Sequence, residues 1–252
     1  MIQGLYAAAS GMMGLESRQD VIANNIANAA TPGFRRHVPV NKGFNEILLQ
    51  SARHPFRLNA ESAPGGGQKL IETFTDTQAG SITVTEDPLN IALQGPGFIG
   101  IETPQGERFT RNGKLAVDAN GLLTTADGYH VQAANGGGIQ VSGGNIAIDE
   151  DGNVYSQGLL VAQIRLVEFE DPHMLTRVGA NLYQASDDAM VRSAEAADTR
   201  VLHKSLELSN VQVPSEMIQM MLGARIYAAN QRVINAIDET VGRLINEVAM
   251  PV

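Results

Sequence analysis

The strongest constraint on this chain is a seven-residue series of apolar side chains near its C-terminus: Met220, Tyr227, Ile234, Val241 and Val248. It sits inside a longer amphipathic stretch that starts at Met217 and includes Ala224 and Ile245. Residues at that spacing share one stripe of an α-helix, and so long a stripe has to be covered, by the protein's own core or by another helix. At about 1.5 Å per residue, Pro214 to Ala249 predicts a rod of roughly 50 Å. Pro214 suits a first turn, Glu216 lies near the positive end of the helix dipole, and Ser209 or Asn210 is expected to cap. At Gln231 and Asp238 the alternate heptad positions turn polar, which in a helix seam fixes register or partner number at some cost in stability.

The N-terminus carries a second helical pattern. Ile2, Leu5, Tyr6, Ala9, Met12, Met13, Val21, Ile22 and Ile26 form a broad stripe, interrupted by Gly4, Gly11 and Gly14. Ala7 to Gly11 leave little polar face for water, so this helix expects neighbours on most sides. Asn24, Asn25 and Asn28 cluster at its end, and Thr31-Pro32-Gly33 stops it, because Pro32 disfavours helical geometry at Thr31 and Gly33 permits a turn. Buried asparagine amides are costly unless paired, so these should bond neighbouring backbone or side chains.

Length and composition exclude several classes. A chain of 252 residues with 43% hydrophobic content can bury a real core in one large or two small domains. A net charge of -9 argues against nucleic acid, which needs clustered Lys and Arg. The basic groups Arg35-Arg36-His37 and Arg53 to Arg57 are expected on solvated loops. Without cysteine there is no disulfide, no thiolate catalysis and no Cys-type zinc site. The N-terminus lacks the basic and apolar regions of a cleaved signal peptide, and no apolar run is long enough to span a membrane.

Between the helices the pattern is that of strands and turns. Residues 35–68 read as an irregular connector, with an apolar run from Phe44 to Leu49 and a flexible stretch at Ala63-Pro64-Gly65-Gly66-Gly67. From Lys69 to about Ala185 the expected strands are 80–85, 89–93, 97–101, 108–110, 114–117, 122–125, 139–141, 145–148, 154–156 and 160–168. Residues 115–123 repeat as 146–154, each a strand-turn-strand unit with Asn-Gly or Asp-Gly at the turn, where glycine supplies a positive φ. Such repetition suits an antiparallel sandwich or barrel rather than a βαβ fold. The fold expected is α+β: N- and C-terminal helices pairing as a coiled-coil-like domain (1–34 with 206–252), a connector (35–68) and a central, mainly antiparallel β domain (69–205).

No catalytic or ligand motif survives inspection. Gly95-Pro-Gly97-Phe-Ile-Gly100 matches a dinucleotide fingerprint as a string, but Pro104 and Gly106 follow where a helix must open, so a turn between strands is the better reading. Asp149-Glu150-Asp151-Gly152 lacks the glycine spacing and twelfth-position Glu of a calcium loop and reads as a hairpin turn. His37, His54, His130, His173 and His203 are scattered without metal-ligand spacing. No catalytic residue, cofactor or metal site is expected.

Residues at both ends resemble a known family. The stretch from Val21 to Arg36, Val-Ile-Ala-Asn-Asn-Ile-Ala-Asn-Ala-Ala-Thr-Pro-Gly-Phe-Arg-Arg, is similar to the N-terminal signature of flagellar basal-body rod and hook proteins. Leu206-Glu-Leu-Ser-Asn-Val, Glu216-Met217-Ile218 and Arg225-Ile-Tyr-Ala-Ala-Asn resemble their C-terminal signature. In the middle, Thr77-Gln-Ala-Gly, Pro88-Leu-Asn-Ile-Ala, Gly97-Phe98 and Phe109-Thr-Arg-Asn-Gly look like the β domain of the longer rod proteins. Leu208 departs from the Gly usual in the C-terminal signature.

The resemblance implies a non-enzymatic subunit of the flagellar rod in the periplasm, exported by the flagellar type III apparatus without signal cleavage. It further implies assembly, through the terminal helices, with copies of itself and with other rod and hook subunits into a torque-transmitting tube around the export channel. The expected interface residues are Leu5, Met12, Ile22, Asn24, Asn25, Ile26 and Asn28 at one end. At the other they are Asn210, Met217, Met220, Arg225, Tyr227, Asn230, Ile234 and Val241. Ala30-Thr-Pro-Gly-Phe-Arg resembles the proximal, F-position form, which is the expected one. The start Met1-Ile-Gln-Gly-Leu-Tyr looks like the distal, G-position alternative. A β-scaffold enzyme or a surface-binding module are the rivals from other classes, although absent Trp and 5% aromatic content give a binding module few platforms.

Overall fold

A computed structural model of the protein describes residues 2–43, 68–142, 146–179, 181–186, 188, 190, 193–196 and 198–248. The chain forms two compact units, one of Met1–Ala27, His37–Thr75 and Gln212–Val252, the other of Asn28–Arg36 and Asp76–Val211.

In the first unit helix α1 (Ile2–Ala27) packs on helix α2 (Val213–Val248) and on an antiparallel ribbon of β1 (His37–Gly43) and β2 (Gln68–Thr75). The ribbon pairs His37 with Thr75 and Gly43 with Gln68, with a bulge between Val40 and Asn41. A strand therefore lies inside the stretch expected to be irregular, and α1 finds strands as well as a helix for neighbours. The sequence features Phe44–Leu49, Arg53–Arg57 and Ala63–Gly67 lie outside the described residues.

The two helices run antiparallel in steps of seven. Gly4 faces Ile237, Gly11 faces Asn230, and Asn25 faces Glu216. A Cβ on Gly4 would stand 3.7 Å from Ile237 Cδ1, and one on Gly11 3.5 Å from Asn230 Nδ2. The inward stripe of α2 is thus Glu216, Met220, Gly223, Asn230, Ile234, Ile237 and Val241, all buried or half-buried, at steps of four and three except for one step of seven past the exposed Tyr227. This corrects the sequence expectation: Gln231 and Asp238 are exposed and interrupt nothing. The glycines of α1 leave room for the residues three, not four, beyond Met220 and its heptad equivalents. Neither expected cap serves α2 either. Ser209 Oγ accepts from the Val211 N–H at 3.2 Å, and Asn210 is engaged with Arg36 and Gln78.

The second unit holds β3 (Ile82–Val84), β4 (Ile91–Gln94), β5 (Phe98–Thr103), β6 (Gly106–Thr110), β7 (Leu115–Val117) and β8 (Leu123–Thr125). There follow β9 (His130–Val131), β10 (Ile146–Ile148), β11 (Asn153–Ser156), β12 (Leu159–Gln163), β13 (Leu166–Phe169) and β14 (Leu175–Arg177). The last are β15 (Leu182–Ala185), β16 (Ser193–Glu195), β17 (Arg200–His203) and β18 (Ser205–Glu207). Every ladder among the described residues is antiparallel, so the α+β class stands. The largest sheet runs β14-β15-β6-β5-β9-β8-β7, with β13 joining β5 to β16, while β10-β11-β12, β17-β4 and β18-β3 form smaller sheets.

Two apolar clusters fill this unit. Ile91, Ile99, Leu123, Val131, Val154 and Val201 belong to the larger one. The smaller is aromatic: Phe109 meets Phe169 edge-on at 4.9 Å, and Phe98 meets Tyr183 at 5.4 Å. The expected strand 160–168 splits at Ile164, whose N–H bonds Gly152 O while that of Arg165 bonds Gln132 O, so the chain changes partners there. Residues 139–141 are bridged rather than a strand, with Leu123 N–H on Ile139 O and Leu122 opposite Gln140.

The sequence repeat is a structural repeat. In the β7–β8 turn Gly121 has φ 82°, and Asp118 Oδ1 accepts from the N–H groups of Asn120 and Leu122 at 2.9 and 2.7 Å. In the β10–β11 turn Gly152 has φ 79°, and Asp149 Oδ1 accepts from Asp151 and Asn153 at 3.0 and 2.8 Å. These bonds, that from Leu122 foremost, hold the Asp118 carboxyl below the usual carboxylate range. Burial pulls Asp149 upward, but bonds from Asn153, Tyr155 and Asp151 overcome it and leave it lowered as well. A carboxylate lowered on folding stabilises the fold above its unfolded pKa, about 3.9, and that stability is lost as pH falls through the folded value. Between about pH 7 and about pH 3, the wild type should therefore lose more of its melting temperature than Asp118→Asn/Asp149→Asn, which keeps an acceptor but has no charge to lose. Parallel melting curves for the two proteins across that range would contradict this.

Candidate functional site

Three chain segments far apart in sequence meet in the second unit. Gly33, with φ 67°, ends the N-terminal turn; a Cβ there would lie 2.4 Å from Arg111 O, so only glycine fits. Its N–H bonds Glu207 O at 2.8 Å, which lays Phe34 and Arg35 alongside β18. Glu207, 2% exposed, receives Arg35 Nη2 at 2.7 Å on one carboxylate oxygen and Arg111 Nη1 at 3.4 Å on the other. Gly80 N–H donates to the first oxygen as well, at 2.9 Å.

One further donor of each guanidinium turns to backbone, while Arg111 Nε is buried without a hydrogen-bond partner. Arg35 Nη1 donates to Thr77 O and Arg111 Nη2 to Gly95 O, each at 2.6 Å. The Arg111 guanidinium stands 5.0 Å from the centroid of Phe98, and that of Arg177 4.2 Å from the centroid of Phe34. Arg177 also donates to Asn181 Oδ1, and Asn181 Nδ2 to Pro32 O. Burial, then Arg35, push the Arg111 pKa down while Glu207 pushes it up; burial raises Tyr183. Asn210 completes the clasp: its Oδ1 accepts from Arg36 N–H at 2.7 Å and its Nδ2 donates to Gln78 O at 3.0 Å. Arg35 is therefore buried and ion-paired rather than on a solvated loop, because a lone carboxylate in this core needs cations beside it.

In the first unit Asn25 plays a comparable part. Fully buried, it donates to His37 O at 2.8 Å and accepts from His37 N–H at 2.9 Å, as a paired strand would, and it also donates to Glu216 Oε2 at 3.3 Å. Ile22 is buried, and Met12, Ile26, Met220, Asn230, Ile234 and Val241 are half-buried. Leu5, Asn24, Met217, Arg225 and Tyr227 are exposed. Asn28 and Asn210, both half-buried, belong to the other unit.

Beyond these residues α2 bears a second apolar face. Ile218, Met221, Leu222, Ile226 and Val233 are each about half exposed, at 49–56%, and on α1 Met13 is more so. These positions were missed because only one heptad series was followed. The signal was the adjacent apolar pairs Met217-Ile218 and Met221-Leu222, which put apolar residues on two faces at once. The clasp residues Arg35, Arg111, Arg177 and Glu207 were missed because no local pattern links them. Among the described residues no cluster of His, Asp or Glu is placed to hold a metal, and no helix is long and apolar enough to cross a membrane.

Comparison with known proteins covers both ends and the middle. Residues 5–35 match the family described as flagella basal body rod protein. Residues 92–156 match the flagellar hook protein FlgE/F/G D1 domain, and 203–247 the C-terminal family of flagellar basal body rod FlgEFG proteins. The flagellar basal-body rod protein FlgG of Bacillus subtilis is 30% identical over 98% of this chain and 99% of its own. FlgG of Caulobacter vibrioides is 32% identical over 94% of this chain and 96% of its own, and FlgF of Rhizobium meliloti 32% over 90% of each.

Each matched segment gives one charge to the clasp, namely Arg35, Arg111 and Glu207. Removing one partner of a buried ion pair typically costs about 3–5 kcal/mol. Glu207→Ala should lower unfolding stability by that order in urea titration, and Glu207→Gln by less because it still accepts from Gly80. A loss below about 1 kcal/mol for Glu207→Ala would mean that the clasp contributes little.

Proposed function

We propose how this chain, which belongs to the flagellar basal-body rod protein family and is a structural, non-enzymatic part of the flagellum, joins its neighbours. The α1–α2 pair is the assembly domain, packing as a coiled-coil-like unit with those of other rod and hook subunits into a helical tube. That tube transmits torque and encloses the export channel. The observation that carries this reading is the uncovered apolar face of α2, Ile218 to Val233, on a helix whose opposite stripe α1 already fills. Burying such half-exposed side chains against a neighbour is worth on the order of 1 kcal/mol each, and heterologous contacts that do not close on themselves extend a helix of subunits. Delivery by the flagellar type III apparatus without signal cleavage belongs to the same proposal.

Within the rod we propose the distal, G-position type in place of the proximal, F-position type expected from the sequence. In its favour are FlgG relatives matching over 94–98% of the chain, against 90% for FlgF relatives, and the Met1-Ile-Gln-Gly-Leu-Tyr start. Ala30-Thr-Pro-Gly-Phe-Arg supports the proximal, F-position alternative. Purified chain should bind hook subunits directly if distal; binding to other rod subunits alone would favour the proximal position.

Met221→Asp/Ile226→Asp should leave the monomer's unfolding stability within about 1 kcal/mol, since both side chains face solvent, yet abolish rod assembly and motility. Motile cells carrying this variant would overturn the assembly role of α2. A chain ending at Val211 should fold, since it retains β18 and Glu207, and should fail to enter rods. A cut at 206, the boundary expected from sequence, removes the carboxylate of the clasp and should not leave a stable β unit.

A further inference from the structure

The last stretch of the β unit, residues 199–211, makes contacts out of proportion to its length. β17 is the one strand laddered to β4, and β18 the one laddered to β3, among the described residues. The N–H groups of Gly33, Gly97 and Thr85 donate to Glu207 O, Thr199 Oγ1 and Lys204 O at 2.8, 2.8 and 2.6 Å. In return the N–H groups of Val201 and Leu208 bond Glu150 O and Ser81 O at 2.9 and 2.8 Å. Val201 is fully buried in the larger apolar cluster, beside Ile91 and Leu93 of β4.

The seat of this segment leaves no room for side chains at Gly80 and Gly97. A Cβ on Gly80 would lie 1.7 Å from Leu208 O, and one on Gly97 2.7 Å from Thr199 Oγ1. Remove the segment, and β3 and β4 lose their ladders, Ile91 and Leu93 lose their cover, and Arg35 and Arg111 lose the carboxylate between them. Its partners lie between residues 33 and 150, so each contact closes a long loop whose entropy is lost before the contact gains anything.

We propose that residues 199–211 are a closing strap: the β unit buries its core only when they seat, so a chain emerging N-terminus first during synthesis stays open until nearly its full length has appeared. Seating joins Glu207 to Arg35 and Arg111 in the step that covers Ile91 and Leu93. The two strap strands and the clasp form together, and the sheets β5-β6 and β7-β8 gain lasting protection only then.

The test is pulsed hydrogen exchange during refolding of the full chain from urea, read on peptides by mass spectrometry. The amides of Leu123 and Gln132, which bond Ile139 O and Gly100 O away from the strap, are compared with those of Val201 and Leu208 within it. All four should become protected in one phase, and Glu207→Gln should slow that phase for all four by the same factor. Protection of Leu123 and Gln132 tenfold or more ahead of Val201 and Leu208 would overturn the proposal. So would a Glu207→Gln effect confined to the strap amides.

Discussion

The β unit is held by one buried carboxylate shared between two arginines. Glu207 lies in the last strand, Arg35 just after the N-terminal turn, and Arg111 beyond β6, so a single side chain ties residues separated by most of the chain. A charge so deeply buried is tolerable only if paired and hydrogen-bonded, and here both oxygens are engaged while Arg35 Nη1 and Arg111 Nη2 reach backbone oxygens. The demand is geometric as much as electrostatic. Gly33 and Gly80 must lack side chains for the segments to come this close, and the Arg111 guanidinium stacks on Phe98 as that of Arg177 does on Phe34.

The helical unit solves the same joining problem by different means. Small residues on α1 admit α2, and polar contacts mark the register, Arg18 with Gln219 at 3.2 Å and Asn25 with Glu216. Apolar contact alone tolerates slippage by a heptad, whereas the same slip would break the buried bond from Asn25 to Glu216. Fixing one face of α2 in this way leaves its other face apolar and open, which suits a helix that must bind within its own chain and beyond it.

Much of this was legible in the sequence, for reasons that differ by element. The terminal helices announce themselves through heptad spacing and the Thr31-Pro32-Gly33 stop, and the two Asp-to-Gly hairpins through their repeat. β1 and β2 escaped because the glycine-rich stretch between them made the segment read as an irregular connector, while β9 and β14 to β18 escaped because short strands with mixed patterns take their identity from distant partners, as β17 does from β4. The clasp escaped for the same reason: Arg35 reads as a loop cation until Glu207 is placed beside it. Asn25 was singled out as an amide needing partners, yet its bridge to the start of β1 depends on the ribbon, which the sequence did not disclose. The seam of α2 was read one residue out of phase in its alternate positions, because the choice between Gly223-Asn230-Ile237 and Ala224-Gln231-Asp238 rests with the glycines of α1.

The central claim is that the two ends of the chain join in one antiparallel register, leaving the second face of α2 outward. The absence of native cysteine makes a disulfide test clean. Gly11→Cys with Asn230→Cys should oxidise within the monomer, since these positions face each other, whereas Gly11→Cys with Gly223→Cys, one heptad away, should remain reduced. Equal closure of the two pairs, or closure of the shifted pair alone, would contradict the register on which the helical unit has been built.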